Sequence, residues 1–248
     1  MKKQIHIFML MLTGSLVLST RPVSAQNNDK TIKAGSVTTM TRQVPSFTGI
    51  EVSSAFKIKL NNSKQQSLSI EAPENFIPYY SIEVKNNVLI IGLNKNADGI
   101  SFQGEMGVIT VSCESLNSIK LSGASKLQGS GSFSATSLSL HLSGAADLAI
   151  DIKTETLTCD LSGASTADLK GSVNGKMKLD VSGAGHFEGY GLEAASADCD
   201  LSGAGKAELN VNKKLQVDAS GASTVKYTGK ATEVTVEASG ASTVMRKG

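Results

Sequence analysis

Two residues before each of seven Ser-Gly-Ala tripeptides stand Lys120, His141, Asp160, Asp180, Asp200, Asp218 and Glu237, so five acids follow one another at a fixed offset. If that offset brings them into one column, Asp160, Asp180, Asp200 and Asp218 form a strip suited to a weakly held Ca2+ or a cationic ligand, because hard cations take several carboxylate oxygens. The competing reading is a solvated face whose charges keep strand edges from sticking to other molecules. No calcium-binding repeat of the GGxGxD kind occurs in the chain, which favours the solvated face. Asp168, Glu188 and Glu208, six residues after their serines, make a second acidic series. At a strand spacing of about 4.8 Å, neighbours repel by roughly 0.9 kcal/mol at the dielectric of water unless a cation or lysine relieves them.

Sugar binding by stacking would need exposed aromatic rings. Trp is absent, and the only dense aromatic cluster is FIPYY at 76–80. Phe76, Tyr79 and Tyr80 are therefore the first candidates for a ligand-binding surface, against the alternative that they pack over the end of a core. Catalysis finds less support. A glycan-cleaving site needs carboxylates that converge on one bond, whereas these acids recur evenly. His141 and His186 fall at different offsets from their tripeptides and read as surface residues. Ser54 and Lys57 spell S-x-x-K, but in a strand-like setting without the companion motifs of penicillin-binding enzymes.

The elements that position these residues follow from the repeat. The serines of the tripeptide fall at 122, 143, 162, 182, 202, 220 and 239, a period of about 20 residues, which signals a solenoid. Apolar and polar residues alternate before each tripeptide, as in SLSLHL and KMKLDV, so each repeat is built of strands. Three apolar series recur per repeat. One ends on Leu121, Leu142, Leu161, Val181, Leu201, Ala219 and Ala238; a second contains Leu127, Leu148, Ala167, Phe187, Ala207, Val225 and Val244; a third contains Phe133, Ile152, Val173, Leu192 and Val211. Three inward stripes per turn predict an all-β, right-handed parallel β-helix, the handedness following the rule for parallel crossovers. Ser-Gly-Ala falls where the coil changes direction: Gly tolerates special backbone angles and the serine hydroxyl can tie neighbouring backbone. Either Ala or the residue after it must face the core, and the pattern leaves both open.

Cys159 and Cys199 share an inward column two rungs apart, about 9.6 Å by the strand spacing, beyond the roughly 6.8 Å limit for a disulfide. Both read as small buried residues, and Cys113 is expected to be unpaired as well.

Residues 1–25 have the form of an export signal: Lys2 and Lys3, an apolar run, and VSA before Gln26. Without Lys2, Lys3 and Arg21 the formal charge of +2 becomes −1, which gives no electrostatic footprint for nucleic acid. No later stretch is apolar enough for a membrane helix. Residues 26–40 are polar and read as a flexible lead-in. A single domain is expected over 41–248, with irregular rungs and a cap over 41–112 and regular rungs over 113–248. The last rung ends in SGASTVMRKG, and its unfinished edge invites homo-oligomer formation.

RQVPSFTGIEVSSAFKIKL (42–60), SIEVKNNVLIIGL (81–93) and ITVSCESLNSIKLSGAS (109–125), followed by the repeated tripeptide, resemble the head GIN domain family of auto-transporter adhesins. The resemblance implies a β-helical fold, export by Gram-negative bacteria and an adhesive or cell-surface role, with no catalytic motif to carry over. No membrane barrel follows the repeats, so a periplasmic, surface or secreted protein is expected. The resulting expectation is a non-enzymatic adhesin-like or scaffold module of the cell envelope, without a cofactor other than weak Ca2+ and with an unknown glycan or protein ligand. A glycan-active β-helix enzyme and a self-assembling envelope protein are the alternatives.

Overall fold

Each regular rung begins at a corner, runs along two sides, bends, and returns along a third side to the next corner. The computed structural model describes residues 30–247; the expected export signal lies outside the described residues. The regular coil comprises β10 (Ser118–Leu121), β11 (Lys126–Leu142), β12 (Asp147–Leu161), β13 (Thr166–Val181), β14 (His186–Leu201) and β15 (Lys206–Ala219), closed by β16 (Thr224–Thr228), β17 (Glu233–Ala238) and β18 (Thr243–Arg246). All of these pair in parallel and nearly in register. The fold is the expected β-solenoid, because the same inward pattern recurs each turn. All three predicted apolar series are buried from Leu121 to Val225, and they join into one continuous core.

The corner answers the question left open by the tripeptide. Ala124, Ala145 and Ala164 point outward, while the following residues, Ser125, Ala146 and Ser165, are fully buried. The serine hydroxyls of the tripeptide bond back to the preceding rung, as Ser162 Oγ donates to the Leu142 carbonyl at 3.3 Å. The alanine amides do the same: Ala164 N–H donates to the Gly144 carbonyl at 2.7 Å. Glycine is required twice over. Gly163 has φ +71°, and a Cβ there would lie 2.6 Å from the Gly144 carbonyl oxygen. Each corner thus excludes a side chain from the next.

An eighth corner precedes the seven. Ser53, Ser54 and Ala55 sit directly before Ser122, Gly123 and Ala124, with Ala124 N–H donating to the Ser54 carbonyl at 2.9 Å. Ser54 adopts φ 74° without being glycine. The corner glycines abut the carbonyl of the rung before, and Ser54 occupies the first corner of the series. Ser54 there carries the backbone strain of the left-handed region without a glycine.

The N-terminal part comprises β1 (Lys30–Lys33), β2 (Val37–Arg42), β3 (Gly49–Val52), β4 (Lys57–Asn62), β5 (Ser67–Pro73), β6 (Tyr80–Lys85), β7 (Val88–Leu93), β8 (Ile100–Gln103) and β9 (Val108–Cys113). β3 and β4 form a true rung, lying in parallel against β10 and β11. Beyond them the chain folds back over the end of the coil: β7 covers β3 and β9 covers β4. Antiparallel pairs then finish the cap, with β6 on β7, β5 on β9 and β2 on β5. The lead-in expected over residues 26–40 is corrected from Lys30 onward. β1 pairs with β8 and β2 with β5, and Ile32 and Met40 pack against the core, contacts that local composition does not reveal.

Candidate functional site

The acids stack as their offset requires. Glu51, Lys120, His141, Asp160, Asp180, Asp200, Asp218 and Glu237 are successive partners across the parallel ladder. The ladder holds them in register because their neighbours on either side, such as Leu179 and Val181 around Asp180, must both face the core. Asp160, Asp180, Asp200 and Asp218, with the corner serines of the same rungs, line an open groove of about 380 Å³. The carboxylates form a row; among the described residues no three acidic, His or Cys side chains converge to hold a metal ion.

Repulsion along the row is relieved unevenly. Lys120 Nζ bonds Glu51 at 3.0 Å, His141 Nδ1 lies 2.6 Å from Asp160 Oδ2, and Lys178 Nζ lies 2.9 Å from Asp180 Oδ2. Among the described residues no salt bridge reaches Asp200 or Asp218. The carboxyl groups respond by alternating. Burial, followed by the hydrogen bond and charge of Asp180, raises the Asp160 pKa against the opposing pull of His141. At Asp180 burial also pushes upward, but the Lys178 hydrogen bond and charge, with hydrogen bonds from Asp160 and Asp200, bring the net shift below the ordinary value. Burial and the Asp180 charge raise Asp200. The direction of the shift thus alternates along the row, up at Asp160 and Asp200 and down at Asp180 between them.

This arrangement can bind cationic groups or hydroxyl donors along its length. Neighbouring carboxyls one rung apart approach the separation of a retaining glycosidase pair. Here, however, Asp160, Asp180 and Asp200 are equivalent residues stacked in register on successive rungs, so no pair of them faces another across a cleft as acid and nucleophile. His141 is engaged by Asp160 and by Ser139 Oγ at 3.0 Å, and His186 lies 3.4 Å from Glu188. Ser54 belongs to the first corner, whereas Lys57 reaches outward to Glu105 at 2.7 Å.

Two of the three aromatic candidates, Phe76 and Tyr80, are corrected. Phe76 is fully buried and Tyr80 is 7% exposed. Tyr80 Oη donates to the Met106 carbonyl, its ring meets Phe56 edge-on at 4.8 Å, and burial pushes its hydroxyl pKa up to about 12. Phe76 and Tyr79 both pack edge-on against Phe102. The cluster closes the cap, and of the three candidates Tyr79 alone remains half-exposed. Cys159 and Cys199 are free and buried, with Leu179 between them in the column. Burial raises the pKa of both thiols, and that of Cys113 to about 11, so none offers a thiolate at neutral pH.

The model of a family described as "Putative auto-transporter adhesin, head GIN domain" matches residues 46–231. The chain belongs to the head GIN domain family. The matched region of this GIN domain starts just before β3 and runs to the bend before β17. Among solved structures, a "putative adhesin" from Bacteroides fragilis is 21% identical, with a TM-score of 0.81 over 87% of this chain and 100% of that one. A "putative lipid binding protein" from Parabacteroides distasonis is 16% identical, with a TM-score of 0.71 over 88% of this chain and 100% of that one. A "putative adhesin" from the same organism is 19% identical, also with a TM-score of 0.71, over 88% and 100%. At these identities the three share the fold of this GIN domain. No curated protein matches the chain.

The acidic column was legible in the sequence. What it missed was Glu51 at its head, which is separated from Lys120 by the whole cap excursion; the alignment of VSSAF with LSGAS was the signal that would have placed it.

Proposed function

We propose that this GIN domain is an exported, non-catalytic binding module of the bacterial cell envelope that adheres through a flat, repetitive face. One observation carries the reading: the groove is built from equivalent residues of four successive rungs, Asp160, Asp180, Asp200 and Asp218. It offers the same group repeatedly, where an active site assembles different groups around one bond. A ligand that itself repeats, such as a glycan chain presenting hydroxyl donors, matches such a face. Membership of an adhesin family and the export-type N-terminus support the same reading. Ca2+ held weakly between ligand and carboxylates would add to the attachment.

A glycan-array screen, run with calcium and again with chelator, tests this proposal. The expected result is binding to a repeating glycan that falls at least tenfold in an Asp180→Asn, Asp200→Asn double variant, about 1.4 kcal/mol. Loss of binding on chelation would add a divalent cation to the contact. Loss in Tyr79→Ala, with the double variant unaffected, would move the contact to the cap. Silence on the array under both conditions would remove glycan adhesion as the function.

A further inference from the structure

The last rung leaves uncovered what every other rung seals. In β17, Val234, Val236 and Ala238 continue the columns of Leu215, Val217 and Ala219. Those three are at most 1% exposed, whereas Val234 is 39% and Val236 41% exposed, and Met245 in β18 is 44% exposed. Among the described residues β17 pairs only with β15, and β18 only with β16. Ser239, Ala241, Thr243 and Lys247 donate their N–H groups back to the preceding turn. A strand in a parallel ladder turns alternate residues to its two sides, so Val234 and Val236 present backbone groups to the open side. The opposite end is protected differently: its outer strand β6 carries the Glu83 and Lys85 ion pair at 2.8 Å, and its apolar cluster is closed by Phe76 and Tyr80.

We infer that the open rung is an interface for a second copy of this chain, joined tail to tail about a two-fold axis. Apolar surface and free strand edge coincide at this end, so two tails bury each other's valines. A two-fold axis across the tail makes β17 meet its symmetry mate antiparallel. Inward residues must stay inward, and of the registers this allows, two pair five residues of each β17, those centred on Thr235 and Val236, while centring on Val234 or Glu237 pairs only three. Centring on Thr235 would set Glu233 against Glu237 of the partner subunit, twice, and directly opposed like charges destabilise a pair. Centring on Val236 places Val236 opposite its own mate, Val234 opposite Ala238 and Thr235 opposite Glu237 of the partner subunit. No acid then faces an acid, so the Val236 register is the one formed.

The size of the end sets the strength. A rung of about 20 residues at roughly 3.3 Å per residue folds into three sides of about 22 Å. Such a triangle encloses about 210 Å², and outward side chains reaching roughly 3.5 Å beyond each side bring each end to on the order of 500 Å². Two such ends total about 1,000 Å², the lower bound for a specific interface. The association is accordingly reversible and concentration-dependent.

Sedimentation analysis of the full chain, from micromolar to near-millimolar, is the test. The expected result is a twofold rise in mass with concentration, abolished by Val236→Lys and retained in Val37→Lys, which alters an exposed valine of the cap. Circular dichroism of Val236→Lys should match that of the parent, separating lost association from lost folding. Val236→Cys should form a disulfide-linked dimer under oxidation and Thr235→Cys should not, which fixes the register. A monomer at every concentration, a dimer indifferent to Val236→Lys, or growth beyond two chains would each overturn the inference.

Discussion

From Ser122 to Lys247 each rung rests on its predecessor by parallel, near-register pairing, whereas over residues 30–113 Lys30 pairs with Ile100 and Val37 with Pro73. The coil spreads its stability over many small, equivalent terms: a hydrogen bond at each corner, a Leu or Val in each column. The cap concentrates it in a few large residues brought together from distant segments, among them Phe56, Phe76 and Tyr80. Removing one contact should therefore hurt the cap through lost volume and the coil through lost backbone fit. The two halves share one core, so both effects appear in the same unfolding measurement.

The largest effect is expected at Phe76. It is fully buried, with its ring 5.0 Å from that of Phe102, and Phe76→Ala should cost about 3–5 kcal/mol by transfer and cavity formation. Urea unfolding followed by circular dichroism would measure it; a loss below about 1 kcal/mol would mean the cap does not seal the core. Gly163→Ala comes next. It adds a Cβ in the left-handed region and 2.6 Å from the Gly144 carbonyl, at a cost of about 2–3 kcal/mol from strain and displaced backbone. The coil is legible in the sequence because each turn restates this constraint.

The first corner sharpens the comparison. Ser54 carries the strain of positive φ while heading the corner series, so Ser54→Gly should stabilise by about 0.5–1 kcal/mol. A rise in melting temperature would check it, and a fall would show that the serine side chain has a further role. This corner was hidden in the sequence because VSSAF lacks the glycine that marks the others. The cap strands were hidden for a related reason: their partners lie far along the chain, and pairing between β2 and β5 leaves no period to read. The acidic column was legible, since one offset repeated five times cannot be missed. Burial of Phe76 and Tyr80 was not, because FIPYY has the same composition whether it faces ligand or core.

The smallest effect lies on the acidic row, where two adjacent rungs should respond with opposite sign. Burial and the Asp180 charge hold the Asp200 carboxyl above its ordinary range. A folded-state pKa that is raised means the ionised form costs stability at neutral pH, and the cost fades as pH falls through the folded value toward the ordinary Asp value of about 3.9. Asp200→Asn removes that charge and can still donate a hydrogen bond to Asp180. It should stabilise at pH 7 by about 0.5 kcal/mol after allowance for solvent screening, with the gain gone in acid. Asp180 sits below its ordinary value because the hydrogen bond and charge of Lys178 outweigh burial. Its ionised form therefore adds stability that is present above the ordinary value and lost as pH falls through the folded one. Asp180→Asn should destabilise at pH 7 by a similar few tenths of a kcal/mol and lose that effect in acid. Paired thermal melts of the two variants across pH 3 to pH 8 would reveal the crossing. Two curves of the same sign would mean that the row behaves as independent surface charges, without the opposed shifts at Asp180 and Asp200.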